Sequence, residues 1–382
     1  MDTKILIGAD IVPTKSNYVE FIEGNVETLV GKTICDLLHE MDFTIFNLEV
    51  PLTDVISPLQ KCGPNLQALS KTINGIKKLN PYFFTLANNH ILDQSVQGLK
   101  STMEILNREN IKYAGAGNDL KEASKPFVFE KNGIKIGIYC CAEREFSIAT
   151  ENKAGANPFD PLFSLDHIRL LKKDVDYVIV LYHGGKEHYR FPSPNLQKTC
   201  RRIVDSGADL VVCQHSHCIG CYEDWETGKI IYGQGNFLFD DSDSEFWKTS
   251  LLIEIIFKSK NDFSIEYIPI IKVGNGIRLA ENEKKVEIIN GFEDRSKRII
   301  ESAFIETEYS KFARQYINTY LRTGMPHNTS LFNRVFNKLS KGTWFERRIT
   351  KEQKLALCNY LECEAHRELF LQGLKESLRK SS

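Results

Sequence analysis

Tyr177-Val-Ile-Val-Leu-Tyr-His183-Gly-Gly and, further on, Leu210-Val-Val-Cys-Gln-His215-Ser-His217 decide how this chain is read. Each is a short run, apolar on both faces, that ends on histidine. A strand apolar on both faces belongs in the middle of a sheet covered by helices, so these two runs place the chain among α/β folds. Lys4–Gly8, Phe43–Leu48, Tyr82–Ala87 and Lys135–Cys141 have the same character. Helical periodicity separates them, with Val96, Leu99, Met103 and Leu106 spaced along Ser95–Glu109, and Leu196–Asp205 stopping near Gly207.

From Lys229 onward the pattern changes. Ile230–Tyr232, Phe237–Phe239, Ser250–Phe257 and Phe263–Lys272 follow one another with short links, which predicts hairpins in a mixed sheet. Residues 279–382 are charge-rich and helical, and are set apart from a domain spanning 1–278. Thr350-Lys-Glu-Gln353 has the form of a capping box ahead of a helix expected to reach about Leu378, and a loop is expected over Thr323–Thr329.

Chemistry-bearing residues sit where those strands stop. Asp10 follows the first strand and Glu49 ends the second. Asn88, Asn89 and His90 end the third, with Asp93 three residues on, and His183, His215 and His217 end the two runs quoted above. Ligands of open α/β sheets bind beyond the carboxyl ends of the strands. Taken singly, Asp10 and Asn88-Asn89 are ordinary turn formers and His183 is an ordinary structural histidine. Their convergence on one edge is not explained by packing. Asp10, Glu49, Asn89, His183, His215 and His217 make a mixed nitrogen and oxygen donor set, suited to one or two divalent ions such as Mn²⁺, Zn²⁺ or Fe²⁺ rather than Ca²⁺. In such a site His90 is placed to protonate a leaving group and Asp93 to orient it. Glu187, Tyr189, Arg190 and Asn236 are the candidates for contact with an anionic substrate.

Composition narrows the partners. With 49 Lys and Arg against 50 Asp and Glu, the net charge is −1, so no general attraction to nucleic acid or anionic membrane is expected. No apolar stretch is long enough for a membrane span, and without an export signal the ten cysteines are read as reduced thiols in a cytoplasmic protein. The Cys218-Ile-Gly-Cys221 spacing lacks a redox context.

The order of motifs resembles the CapA family of poly-γ-glutamate capsule-synthesis proteins over about residues 3–275. It is carried by Asn47-Leu-Glu-Val-Pro-Leu-Thr, Ala87-Asn-Asn-His-Ile-Leu-Asp, Tyr113-Ala-Gly-Ala-Gly, His183-Gly-Gly-Lys-Glu-His-Tyr, His215-Ser-His and Gly235-Asn-Phe-Leu-Phe. The resemblance implies a calcineurin-like metallophosphoesterase fold, a mixed β-sheet sandwich flanked by helices, here with a helical C-terminal extension. It also implies a dinuclear site. Asp10 takes the first-motif aspartate, Glu49 the bridging carboxylate, Asn89 and His90 the Asn-His pair, His183 the isolated histidine, and His215 with His217 the final pair. Three positions depart from the superfamily pattern: Val12 stands where a histidine is usual, Glu49 where an aspartate is, and Gln214 where a glycine is. Two functions follow as expectations. One is a metal-dependent hydrolase of a phosphoester, or of an amide or ester in an envelope polymer, in capsule or poly-γ-glutamate biosynthesis. The other is a non-catalytic or ligase-supporting metal-binding component of that assembly. The C-terminal helices are free to cover the cleft, to dimerise or to dock a partner.

Overall fold

Side chains of the first strand, Thr3–Val12, point alternately to two different cores. Ile5 and Ile7 meet Ile45, Phe83, Ile138, Ile179 and Val212. Leu6 on the opposite face meets Phe46 and Phe84 and the helix residues Leu29, Val30 and Leu99. The first set comes from two different sheets, so the centre of the molecule is a sheet-on-sheet interface. The computed structural model describes residues 2–324, 335–336, 338–340 and 349–362, with isolated helical positions between 366 and 378.

The larger sheet has eight strands. Across it run Gly276–Leu279, Asp262–Val273, Thr249–Ser259, Thr3–Val12, Phe43–Leu48, Phe83–Thr85 and Lys112–Ala114, with Asn236–Phe239 also paired to Thr3–Val12. The second sheet has six, in the order Tyr222–Trp225, Gly228–Ile231, Leu210–Gln214, Tyr177–His183, Ile134–Ala142 and Phe127–Lys131. Helices Glu27–Glu40 and Ser95–Arg108 cover the outer face of the first sheet. Ser164–Asp174 and Pro194–Asp205 cover the second, where Leu171, Cys200 and Ile203 pack on Val178, Val180 and Val211. The result is the mixed, helix-flanked sandwich expected from the sequence.

The hairpin reading holds for Thr249–Ser259 and Asp262–Val273, which pair antiparallel in register. It fails between the two runs before them, which do not pair with each other; the first makes its hairpin with Tyr222–Trp225 instead. Gly228–Ile231 joins the second sheet, parallel to Leu210–Gln214, and Asn236–Phe239 joins the first, parallel to Thr3–Val12. The chain changes sheets in Tyr232–Gly235, where Gly233 and Gly235 take φ values of 137° and 86°. That left-handed backbone suits glycine and turns the two runs apart.

The chain divides into compact units Met1–Glu306 and Thr307–Ser382. Helix Asn282–Arg298, which sequence alone groups with the C-terminal region, packs on the sandwich: Phe292 is buried against Tyr222 and Tyr267 at ring distances of 5.2 and 4.9 Å. Helix Phe304–Gly324 runs into the segment read as a loop from Thr323, and the rest of that loop lies outside the described residues. Lys351–Glu362 opens with the expected capping box: Thr350 N donates to Gln353 Oε1 at 3.0 Å, and Gln353 N to Thr350 Oγ1 at 3.3 Å. Its extension toward Leu378 falls mostly outside the described residues. Among the described residues, no helix is long and apolar enough to cross a membrane.

Candidate metal centre

The site begins with an irregularity in Thr3–Val12. Residues 3–7 pair antiparallel with Thr249–Ser259, whereas Asp10, Ile11 and Val12 pair parallel with Asn236–Phe239. On its other side the register to Phe43–Leu48 shifts between Ile7 and Asp10. Such bulges re-aim a side chain and leave ladder groups to be satisfied elsewhere. Gln234 Nε2 donates to Ile7 O at 3.2 Å and Gln214 Nε2 to Gly8 O at 3.4 Å. Gln214, the departure from glycine noted above, thus helps to hold the bulge. Asp10 is left flanked by Asn47 and Asn236 as its strand neighbours.

Six side chains meet above this point. Glu49 is fully buried, and neither carboxylate oxygen has a hydrogen bond, although His183 Nε2 lies 3.3 Å from Oε1. The contact is close enough for an ion pair but is not aligned for a hydrogen bond. Asn47 Nδ2 donates to Asp10 Oδ1 at 2.7 Å and lies 3.2 Å from His183 Nδ1. Asp10 Oδ2 is buried without a hydrogen-bond partner, 3.6 Å from His217 Nδ1. His183 Nε2 is 3.0 Å from Asn89 Oδ1. The His183 and His215 rings are 4.8 Å apart, and His215 and His217 6.0 Å. Ligand atoms of Glu49, His215 and His217 all lie within 4.8 Å of one another. Both His215 and His217 have left-handed backbone, with φ of 95° and 51°, a strained geometry held where side chains must converge.

Buried carboxylate oxygens without donors are costly unless something positive satisfies them. Three imidazoles, two carboxylates and an amide oxygen around those orphaned atoms fit divalent transition-type ions. Charge coupling agrees. Burial and the neighbouring Glu49 raise the pKa of Asp10. Burial also opposes ionisation of Glu49, but His183, His217 and His90 together outweigh it and hold that carboxyl below the usual range. Burial and His183 drive His215 well down. His217 is pushed up to about 9, because Glu49 and Asp10 overcome its burial. The carboxylates of Glu49 and Asp10 thus favour a positive charge at His217, as they would favour a cation.

Beside the cluster, His90 Nδ1 donates to Asp93 Oδ2 at 2.5 Å. Asp93 also accepts from Leu66 N at 2.6 Å, and Lys61 Nζ is 2.5 Å from its other oxygen. Asn88 braces this turn, donating to Asn47 Oδ1 at 3.0 Å and Leu48 O at 2.9 Å while accepting from His90 N at 3.1 Å.

The four residues read as substrate contacts are dispersed. Glu187 Oε1 lies 4.0 Å from His215 Nε2. Asn236 Oδ1 accepts from His217 Nδ1 at 2.8 Å, which puts it in the cluster itself. Tyr189 is buried, its ring 6.0 Å from Phe191. Arg190 donates to Ile219 O at 3.0 Å and lies over the Phe246 ring. Sequence reasoning missed Asn47, Lys61, Glu145 (3.9 Å from His215 Nε2) and Trp247, whose ring is 4.9 Å from His217. Asn47 was within reach, two residues before Glu49 and so on the same side of the strand. Lys61, in a loop of ordinary composition, gave no signal.

The fold is thus a helix-covered β-sandwich that carries a buried nitrogen and oxygen cluster, able to hold a metal ion, at its strand ends. Residues 10–241 match the family described as bacterial capsule synthesis protein PGA_cap, and the chain belongs to that family. It is similar to the PGA biosynthesis protein CapA of Bacillus subtilis (strain 168), 31% identical over 239 residues, 61% of this chain and 62% of that one. It is also similar to the capsule biosynthesis protein CapA of Bacillus anthracis, 27% identical over 250 residues, 63% of this chain and 61% of the relative. The chain thus matches about six-tenths of the length of these relatives. Among solved structures, one described as a novel phosphatase from Mycoplasma pneumoniae aligns over 71% of this chain and 94% of its own, at 15% identity and a TM-score of 0.44.

Proposed function

We propose that this chain is a metal-dependent hydrolase of capsule or poly-γ-glutamate biosynthesis, acting on a phosphoester or on an amide or ester bond of an envelope polymer. One observation carries the reading: Glu49, buried among three imidazoles with neither oxygen hydrogen-bonded, stands beside a His90–Asp93–Lys61 array that metal binding alone does not require. Asp10, Glu49, Asn89, His183, His215 and His217 are the residues that would hold divalent ions. Such ions, when bound, supply Lewis acidity and lower the pKa of water. The chain's own contribution is positional. Asn47 and Asn88 lock the ligand side chains, burial excludes solvent, and His90 delivers a proton to the departing group while Asp93 fixes its ring.

Mn²⁺-loaded protein is expected to hydrolyse a generic phosphodiester or a γ-glutamyl substrate. His90→Ala is expected to lose turnover with its metal content unchanged. Equal loss of metal and activity in His90→Ala would count against the proton-donor role.

A second reading, metal-binding support of polymer assembly without turnover, is favoured by the acidic lip. Glu145 and Glu187 both lie within 4.0 Å of His215 Nε2, where an anionic substrate must approach. Full metal occupancy with no turnover on any phosphoester or γ-glutamyl compound is the result that selects it.

A further inference from the structure

The superfamily's first motif pairs an aspartate with a histidine two residues later, and in this chain that second position is Val12, an aliphatic side chain 2% exposed. The Asp10 side of the cluster is therefore one donor short. Across the strand pair stands Asn236, the register partner of Asp10. We propose that the carboxamide oxygen of Asn236 replaces the missing imidazole and is a direct ligand of the cation held by Asp10 and His217. The proposal rests on reading the cluster as a metal centre, and is independent of turnover.

Three features support it. Asn236 Oδ1 and Asp10 Oδ2 lie 2.8 and 3.6 Å from His217 Nδ1. Those are the separations of neighbouring donors around one ion with bonds of about 2.1 Å. Asn236 is buried and its backbone is held from behind: its main-chain N donates to Ser250 Oγ at 2.9 Å and the residue is 4% exposed. A Cβ on the preceding Gly235 would come within 2.6 Å of that hydroxyl, so glycine is what lets Asn236 approach. Finally, Asp10 Oδ2, beside Asn236 and His217, is buried without a hydrogen-bond partner and so is open to a cation.

A neutral oxygen in place of an imidazole changes the chemistry of that position. The Asp10 side offers two carboxylates, an amide oxygen and one imidazole, while the His183–His215 side keeps two imidazoles. Oxygen-rich sites favour Mn²⁺ over the softer ions. The two positions are thus unequal, one nitrogen-rich and the other oxygen-rich and suited to Mn²⁺.

The test is Mn²⁺ titration of the full-length protein, followed by calorimetry, elemental analysis and the exchange-coupled electron paramagnetic resonance of an Mn²⁺ pair. Wild type is expected to take up two ions with unequal affinity. Asn236→Ala is expected to keep one ion and to lose the coupled signal, the affinity for the other falling by more than about 100-fold, beyond the 10–100-fold range of an orienting partner. Asn236→Asp is expected to restore the second ion. The retained ion shows that Asn236→Ala is folded. Two ions in Asn236→Ala with affinity lowered by less than about 100-fold would make Asn236 an orienting residue and overturn the proposal. A wild-type chain that takes up a single ion also overturns it but leaves the metal-centre reading standing. One that takes up none overturns both.

Discussion

The Lys61 ammonium lies 2.5 Å from Asp93 Oδ1, and both side chains are shut away from solvent, at 3% and 0% exposure. The pair pins the loop that contains Lys61 to the turn that contains His90. Leu66 N and Leu59 N reinforce the junction by donating to Asp93 Oδ2 and Asp93 O at 2.6 and 3.0 Å.

Removing one partner of a buried ion pair strands the other. Lys61→Met is therefore expected to destabilise the protein by about 3 kcal/mol, at the low end of the range because His90 and Leu66 still contact the carboxylate. Adding Asp93→Asn is expected to recover more than half of that loss, as read from urea unfolding midpoints. Independent, additive effects of the two substitutions would show that the pair is not coupled.

Metal occupancy and stability are linked, because an ion that binds only the folded chain stabilises it by mass action. At a free Mn²⁺ concentration 100 times its dissociation constant the gain is about 2.7 kcal/mol, or some degrees in Tm. EDTA treatment is expected to abolish this gain. Glu49→Gln keeps the side chain's shape but removes the charge that faces both halves of the cluster, so its Tm is expected to be the same with and without Mn²⁺. A metal-dependent Tm in Glu49→Gln would remove Glu49 from the centre of the site.

Binding is expected to depend on pH through His217. Its pKa, about 9, is raised from an ordinary 6.5. A group raised in the folded state stabilises that state below pH 6.5, and the contribution is lost as pH climbs through 9. The same proton must leave before the ring can hold a cation. Metal affinity is therefore expected to rise about tenfold per pH unit from 7 toward 9 and then to level off, with about one proton released per chain at pH 7. Calorimetry in buffers of different ionisation enthalpy counts that proton, and a flat affinity profile over this interval would contradict the assignment.

Packing beneath the bulge leaves no spare room. A Cβ on Gly8 would lie 2.2 Å from Phe46 Cδ1. Gly8→Ala is expected to cost about 1–3 kcal/mol by overpacking. Phe46→Leu in the same chain is expected to return part of it, whereas an unchanged unfolding midpoint for Gly8→Ala would mean that the ring yields freely.

What was legible in the sequence follows from how each residue reaches the site. Asp10, Glu49, Asn89, His183, His215 and His217 hang from the ends of strands whose apolar runs are strong signals, so burial pattern alone put them on one edge. Asn236 sits on a strand too, but its pairing with Thr3–Val12 spans most of the domain and depends on the turns at Gly233 and Gly235. Local pattern suggested a hairpin instead. Lys61 was invisible, since a lysine in a loop is normally solvated and only the fold of residues 54–69 over Asp93 buries it. Gln214 and Gln234 were equally opaque, because their role is to satisfy carbonyls freed by a bulge that no residue type announces.

That bulge makes the first strand intolerant of changes in length. Its opening half answers to the hairpin strand Thr249–Ser259 and its closing half to Asn236–Phe239, so the two halves keep separate alignments across a seam of two residues. Loops remote from the site tolerate changes of length far better. A single codon gained or lost between Ile7 and Asp10 would instead rotate the aspartate to the opposite face. Relatives that diverge widely in their loops are therefore expected to preserve the residue count of this segment.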